Sequence, residues 1–331
     1  MKRPGRTAAF RGPDGRTLPG SVAETRYLEL GGVEQWVMSR GASVENPALI
    51  HLHGGPGLSE SAFFRHFNSP LERGFTVISW DQRGANRSYD RNLPGASMTV
   101  ERFVSDLDEL VSAVCARLRQ SRVVIFGHSW GSALGVLYAA RHPERVAAYV
   151  GSGQIGDWAK AERLTYEFAL AEAVRQRKPG AVRALRAIGP PPHSGELAMK
   201  HRLLLMQLDG QMKPRYLWKV ARVLFSNGES SFLDLPRFWR GMEFSMDVMW
   251  PEVTRLNLVI QVPELRVPVF FFLGRHDHIV FPETSVEYFE ALRAPSKELI
   301  WFENSGHEPF MDEPEKFNTA MLERVRPLAA R

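Results

Sequence analysis

A single cysteine, Cys115, stands in a chain of 331 residues, so no intramolecular disulfide framework can form. It sits beside a stripe of apolar residues at helical spacing and reads as a small buried hydrophobe, and a lone thiol fits a reducing compartment. Long apolar runs are missing too. No stretch of about 18 uncharged apolar residues occurs, so no membrane-spanning helix is expected. Residues Met1 to Gly20 begin with positive charge, but Pro and Gly interrupt every apolar segment, and a secretory signal needs an unbroken one. A cytoplasmic location is the expectation. Lys and Arg (42) outnumber Asp and Glu (37), yet the excess is spread along the chain and forms no dense basic run. Nucleic acid is therefore not an expected partner. Internal repeats and low-complexity segments are absent as well. What remains is an ordinary globular composition, 44% hydrophobic and 24% charged, in a length that suits one large α/β unit carrying an insertion.

Behind a polar N-terminal arm (residues 1–21), Glu24–Leu30 and Val33–Met38 flank Gly31-Gly32, a hairpin signal. Short apolar runs then alternate with helical patterns. ALIHL (48–52) leads into HGGPG, FTVISW (75–80) into DQRG, and RVVIF (122–126) into GHSWG. Val104, Leu107, Val111, Val114 and Leu118 repeat at helical spacing. This alternation predicts an α/β fold with a mostly parallel central sheet and helices on both faces. From 155 to 262 the strand signals stop. Leu164, Phe168, Ala171 and Val174 predict one helical stripe, Val182, Leu185 and Ile188 a second, and Leu217, Val220 and Leu224 another beyond the break at Gly189-Pro190-Pro191-Pro192. Strands resume with PVFFFL (268–273) and ELIWF (298–302). A last helix is expected from Pro314, burying Phe317, Met321 and Val325. The expected organisation is a sheet domain over 22–154 and 263–331, interrupted by an all-helical cap over 155–262.

Gly127-His128-Ser129-Trp130-Gly131 is a G-x-S-x-G pattern lying between a buried-strand run and a helix. A sharp strand-to-helix turn needs tiny flanking side chains and presents a Ser hydroxyl at the helix N-terminus. There the amide of Trp130 is placed to receive an oxyanion. A Ser hydroxyl needs a base, and in open sheets of this kind nucleophile, acid and imidazole follow in that order at strand ends. Asp277 follows PVFFFL and His307 follows ELIWF. His307 is expected to shuttle the proton and Asp277 to orient its ring. HGGPG, at the end of ALIHL, offers a second oxyanion donor, with Gly55 favoured. A plain Gly-Pro turn is the alternative reading of the same residues.

Other chemistry is less well supported. His51 with His53, and His276 with His278, have spacings compatible with metal ligation, but no Cys or carboxylate cluster completes either pair, so no metal site is expected. No redox cofactor motif occurs, and HGGPG lacks the Lys-Ser/Thr pair of a phosphate loop.

These motifs together (HGGPG, DQRG, GHSWGS, GRHD at 274–277 and SGH at 305–307) resemble the α/β-hydrolase superfamily, specifically its prolyl-aminopeptidase-like branch. The resemblance implies a cofactor-independent serine hydrolase with Ser129, Asp277 and His307 as its triad. It implies substrates among small esters, lactones or short peptides. Haloalkane dehalogenases and epoxide hydrolases of similar fold attack with Asp at the turn, where this chain has Ser129. Proline iminopeptidases hold the substrate's free amino group with acidic cap residues, often within a Trp-x-x-Trp-Glu stretch, which 155–262 lacks. Glu162, Glu167, Glu172, Asp209, Glu243 and Asp247 are present there, but no motif places them. Gly54, His128 and Glu243 are the candidate substrate-binding residues. The missing stretch favours ester or lactone cleavage, macrocyclic lactones such as macrolides included, over release of N-terminal proline. A non-catalytic ligand-binding protein of the same fold and metal-assisted hydrolysis are the remaining alternatives.

Overall fold

Two successive residues with positive φ set the first register. Gly31 (φ +57°) and Gly32 (φ +74°) turn Val22–Leu30 (β1) back onto Val33–Gly41 (β2), pairing Leu30 with Val33. The computed structural model describes residues 5–209, 218, 221–223, 229 and 234–329. Ala48–Leu52 (β3), Thr76–Trp80 (β4), Val123–His128 (β5), Val146–Ser152 (β6), Val269–Gly274 (β7) and Lys297–Phe302 (β8) complete an eight-stranded sheet of order β1-β2-β4-β3-β5-β6-β7-β8. The β1–β2 and β2–β4 pairings are antiparallel and all the others parallel.

Every residue of β3 to β7 is buried, as strands covered on both faces must be. Their side chains nevertheless sort by period two. Ile50, Ile78, Ile125, Tyr149 and Phe271 enter one apolar core, and Leu49, Val77, Val124, Val150 and Phe270 enter the other. Helices Val100–Leu118 (α2), Trp130–Arg141 (α3) and Pro282–Ala291 (α8) pack against the first. Ser61–Asn68 (α1) and Pro314–Ala320 (α9) pack against the second, with Phe317, Met321 and Val325 fully buried as expected. The predicted stripe of α2 is buried along its whole length, and Thr99 caps the helix by accepting from the Arg102 amide. Cys115 lies within this same core.

Between β6 and β7 the described residues form helices: Trp158–Arg175 (α4), Pro179–Ile188 (α5), Gly195–Leu208 (α6) and Leu235–Val253 (α7). The predicted stripe on α4 is out of phase. Ala171 and Val174 are exposed, and the inward face carries Ala161, Glu162, Thr165, Tyr166, Ala169 and Ala173. Small residues win this face because α4 must approach α5 and α6 closely, and a buried carboxylate interrupts the apolar pattern. On α5, Leu185 is the fully buried member of its stripe. Leu217, Val220 and Leu224 lie outside the described residues. The N-terminal arm is tied to the sheet domain: Arg40 donates to the Ala8 carbonyl (2.7 Å) and Thr25 to that of Gly5 (2.9 Å). Among the described residues no helix is long and apolar enough to cross a membrane.

Candidate active site

β5 ends at His128 and α3 begins at Trp130, so the whole reversal falls on Ser129 (φ 52°, ψ −118°). A side chain in that region is unfavourable unless its surroundings hold it there. Here they do. The Ser129 amide donates to the Ser152 carbonyl (2.9 Å), and the Ser129 carbonyl accepts from the amide (2.8 Å) and hydroxyl (2.6 Å) of Ser132. A Cβ on Gly127 would stand 2.3 Å from the Gly131 carbonyl oxygen, and one on Gly131 would stand 2.1 Å from that of Leu52. No side chain larger than hydrogen fits either place. The half-exposed Ser129 hydroxyl makes no hydrogen bond to a described residue.

Asp277 and His307 arrive from β7 and β8. His307 Nδ1 lies 2.8 Å from Asp277 Oδ2, while Asp277 Oδ1 accepts the amides of Ile279 and Val280 (both 2.8 Å). The carboxylate is thus fixed at both oxygens. It holds the proton on Nδ1 and leaves Nε2 with its lone pair. The ring lies against Gly153 (φ +52°), where a Cβ would meet His307 Cε1 at 2.6 Å. Gly153 follows Ser152, whose carbonyl receives the Ser129 amide, so the Ser129 backbone and the His307 ring both meet the end of β6. Of the two predicted oxyanion donors, Trp130 directly follows Ser129 and Gly55 directly follows Gly54, where a Cβ would lie 3.2 Å from Ser129 Cβ. Trp130 opens α3, where first-turn amides have no partner within the helix, and Gly55 (φ +111°) sits in the turn after β3. Among the described residues, neither amide donates to another group.

A buried network with no motif of its own locks these loops together. Glu60, just before α1, receives His128 Nδ1 (2.7 Å) and the Gly54 amide (3.1 Å) on one oxygen, and His51 Nε2 (3.2 Å) on the other. His128 Nε2 reaches the His307 carbonyl (2.9 Å). A neutral imidazole has one N–H, and His128 faces an acceptor at each nitrogen, so it is the imidazolium that satisfies the site. Burial alone would lower the His128 pKa, but the charge of Glu60 and its hydrogen bond override burial and lift it from 6.5 to about 9. Burial likewise works to raise Glu60, and the two histidines hold it well below the usual carboxylate range. His51 and His53 are pushed down by burial.

The DQRG segment provides further scaffolding. Gln82 takes the Trp130 indole N–H (2.9 Å) and donates to the His53 carbonyl (3.0 Å), while Arg83 and Asp106 form a buried two-pronged ion pair (2.8 and 3.0 Å). Glu60 carries no sequence signal as a site residue, and DQRG marks Gln82 without assigning it a partner, because the partners of both are brought to them by the sheet.

Of the substrate-binding candidates, Gly54 touches the site: a Cβ there would be 3.2 Å from Ser129 Cβ. His128 is fully buried and engaged at both nitrogens. Glu243 lies on an exposed face of α7. The close histidine pairs serve other ends. His53 bridges the Gly54 carbonyl and the Gln82 amide, His278 pairs with Asp209 (3.1 Å) and stacks on Phe168, and His276 is exposed. α7 roofs the glycine turns, and a Cβ on Gly57 would stand 2.6 Å from Ser245 Cβ.

Residues 47–188 match a family model described as the alpha/beta hydrolase fold. The chain is 32% identical over 311 residues to the probable aminopeptidase YbaC of Bacillus subtilis (strain 168), covering 92% of this chain and 97% of that protein. Among solved structures it is similar to a proline iminopeptidase-related protein from Thermus thermophilus (TM-score 0.62, 22% identity, 93% of this chain and 99% of the other). It is also similar to an esterase from Exiguobacterium antarcticum (TM-score 0.58, 19% identity, 92% and 100%).

Proposed function

This chain belongs to the α/β-hydrolase superfamily, in its prolyl-aminopeptidase-like branch, and we propose that it is a serine hydrolase that cleaves a carboxylic ester or lactone through an acyl-enzyme. The observation that carries this reading is the His307–Asp277 pair (2.8 Å), held at the end of the sheet where Ser129 makes its strained turn. His307 Nε2 takes the Ser129 proton as the hydroxyl oxygen attacks the acyl carbon. The amides of Trp130 and Gly55 receive the negative charge that develops on the carbonyl oxygen. His307 returns the proton to the leaving group, and water repeats the sequence on the acyl-enzyme. Resting hydrolases often have this nucleophile–base contact unmade, and it tightens once substrate is bound. In this reading helices α4–α7 act as a cap over the site.

The carboxylates of the cap support an ester over a peptide with a free amino group. Glu162 pairs with Arg202, Glu172 with Arg175 and Asp209 with His278, while Glu167, Glu243 and Asp247 are exposed. Three of these six thus already have a partner and the other three face solvent, which supports the ester reading. A second reading, release of an N-terminal residue, is favoured by the name of the 32% identical relative. A substrate panel decides between them. The ester reading expects kcat/KM on aryl esters and lactones to exceed that on a prolyl arylamide by at least tenfold. The reverse ratio would establish the aminopeptidase reading.

Asp277→Asn tests the role of the acid. The two amides on Oδ1 demand an acceptor, so the asparagine oxygen stays there and its NH2 turns toward His307. Nδ1 must then accept, the proton moves to Nε2, and the base is lost. A fall of about 10⁴-fold in kcat is expected, checked by steady-state kinetics on an aryl ester.

A further inference from the structure

In the helical insertion, away from Ser129, three chemistry-bearing side chains that no motif connects meet in the interior. Glu162 projects from the inner face of α4, His193 from the segment between α5 and α6, and His201 from α6, and all three are buried. One ligand-capable atom from each lies within 4.8 Å of the other two. Buried polar atoms are ordinarily paired, yet here Glu162 Oε2, His193 Nδ1 and both ring nitrogens of His201 lack a hydrogen-bond partner among the described residues. The backbone of Thr165 comes near His201 without completing a bond.

We propose that Glu162, His193 and His201 bind a divalent first-row transition-metal ion, with Zn2+ the best match to two imidazoles and one carboxylate. The unpaired atoms are the ones such an ion needs. His193 Nε2 donates to the Gly189 carbonyl (2.9 Å), which fixes the proton there and leaves the Nδ1 lone pair free. Arg202 occupies Glu162 Oε1 and leaves Oε2 for the ion. A carbonyl behind a ligating imidazole and a donor behind a ligating carboxylate are the usual outer partners of a metal centre. Both ring nitrogens of His201 lack a partner, so its lone pair is open to the ion whichever nitrogen carries the proton. Tetrahedral bonds of about 2.0–2.1 Å set ligand atoms about 3.4 Å apart, so closing from 4.8 Å takes side-chain shifts of about 1.4 Å at most. The ion would tie α4 to α6 in the insertion, and its fourth position would take water.

The test uses the full chain, freed of any affinity tag and stripped with chelator, and titrated with Zn2+ alone. Mass-spectrometric metal analysis is expected to give one Zn2+ per chain after dialysis, and Co2+ to give the visible absorption of a tetrahedral nitrogen–oxygen site. The melting temperature should rise by about 4 °C at a hundredfold excess over Kd, with no rise in Mg2+. His201→Phe and Glu162→Gln should abolish uptake. His193→Gln, in a connecting segment where folding is least at risk, should weaken it at least tenfold. Wild-type protein that retains no stoichiometric Zn2+ and shows no thermal shift would overturn the proposal. So would undiminished binding in His193→Gln, since that would place the ion elsewhere.

Discussion

Ser129→Ala is expected to lower kcat/KM on an activated ester by about 10⁴–10⁶-fold while leaving the melting temperature within about 1 °C of wild type. The two halves of this prediction have separate causes. The hydroxyl supplies the electron pair that attacks the acyl carbon, and nothing nearby replaces it once it is gone. The amides of Trp130 and Gly55 remain, so some transition-state binding survives, and about 10³-fold rate enhancement over water is the expected floor. Stability is indifferent because the strained turn is held by backbone groups: the amide on Ser152 and the carbonyl on Ser132. The hydroxyl itself bonds to no described residue. Kinetics, calorimetry and labelling by a fluorophosphonate probe check it together. A variant that keeps a tenth of wild-type turnover, or still takes the label, would remove Ser129 from the mechanism.

Glu60→Gln should have the largest effect on stability. It removes the counter-ion of a buried imidazolium and leaves His128 either charged without a partner or neutral with one acceptor unanswered. Breaking a buried ion pair from one side costs about 3–5 kcal/mol, or roughly 4–7 °C in a chain of 331 residues. The pH dependence separates this cause from mere loss of packing. His128 is raised from 6.5 to about 9, so its contribution, on the order of 3 kcal/mol, is fully present below pH 6.5 and is lost as pH rises through 9. Glu60 is lowered, so its share is present above about pH 4.5 and is lost on acidification. Wild type should therefore lose stability between pH 6.5 and 9, and the variant should show a flatter profile in that window. Thermal denaturation across pH 4–10 reads both. Equal slopes would mean that His128 is not held charged. Because the His128 ring also grips the His307 carbonyl, kcat should fall with stability, whereas packing loss alone would move the melting temperature and spare kcat.

Much of the fold is legible in the sequence. Strands buried on both faces announce themselves as continuous apolar runs, and glycine-rich turns follow them. The G-x-S-x-G turn was legible for the same reason: Gly127 and Gly131 are required by contacts as close as 2.1 Å, and the residues that make those contacts lie on neighbouring elements. Periodicity alone places the buried stripe of α2 but misplaces that of α4, whose inner face is built of Ala161, Thr165, Ala169 and Ala173 around a buried Glu162.

The amino-acid sequence by itself determined which strands could be central, where the chain must turn sharply, and that hydroxyl, carboxylate and imidazole stand at three strand ends. Each of those properties resides in a run of adjacent residues, so it survives in one dimension. Tertiary structure alone decided that Glu60 would neutralise His128 and that Glu162, His193 and His201 would gather inside the insertion. The reason is that charge pairing and ligation depend on distance through space. No spacing along the chain encodes that distance until the sheet has brought the loops to its edge and the helices have closed on one another.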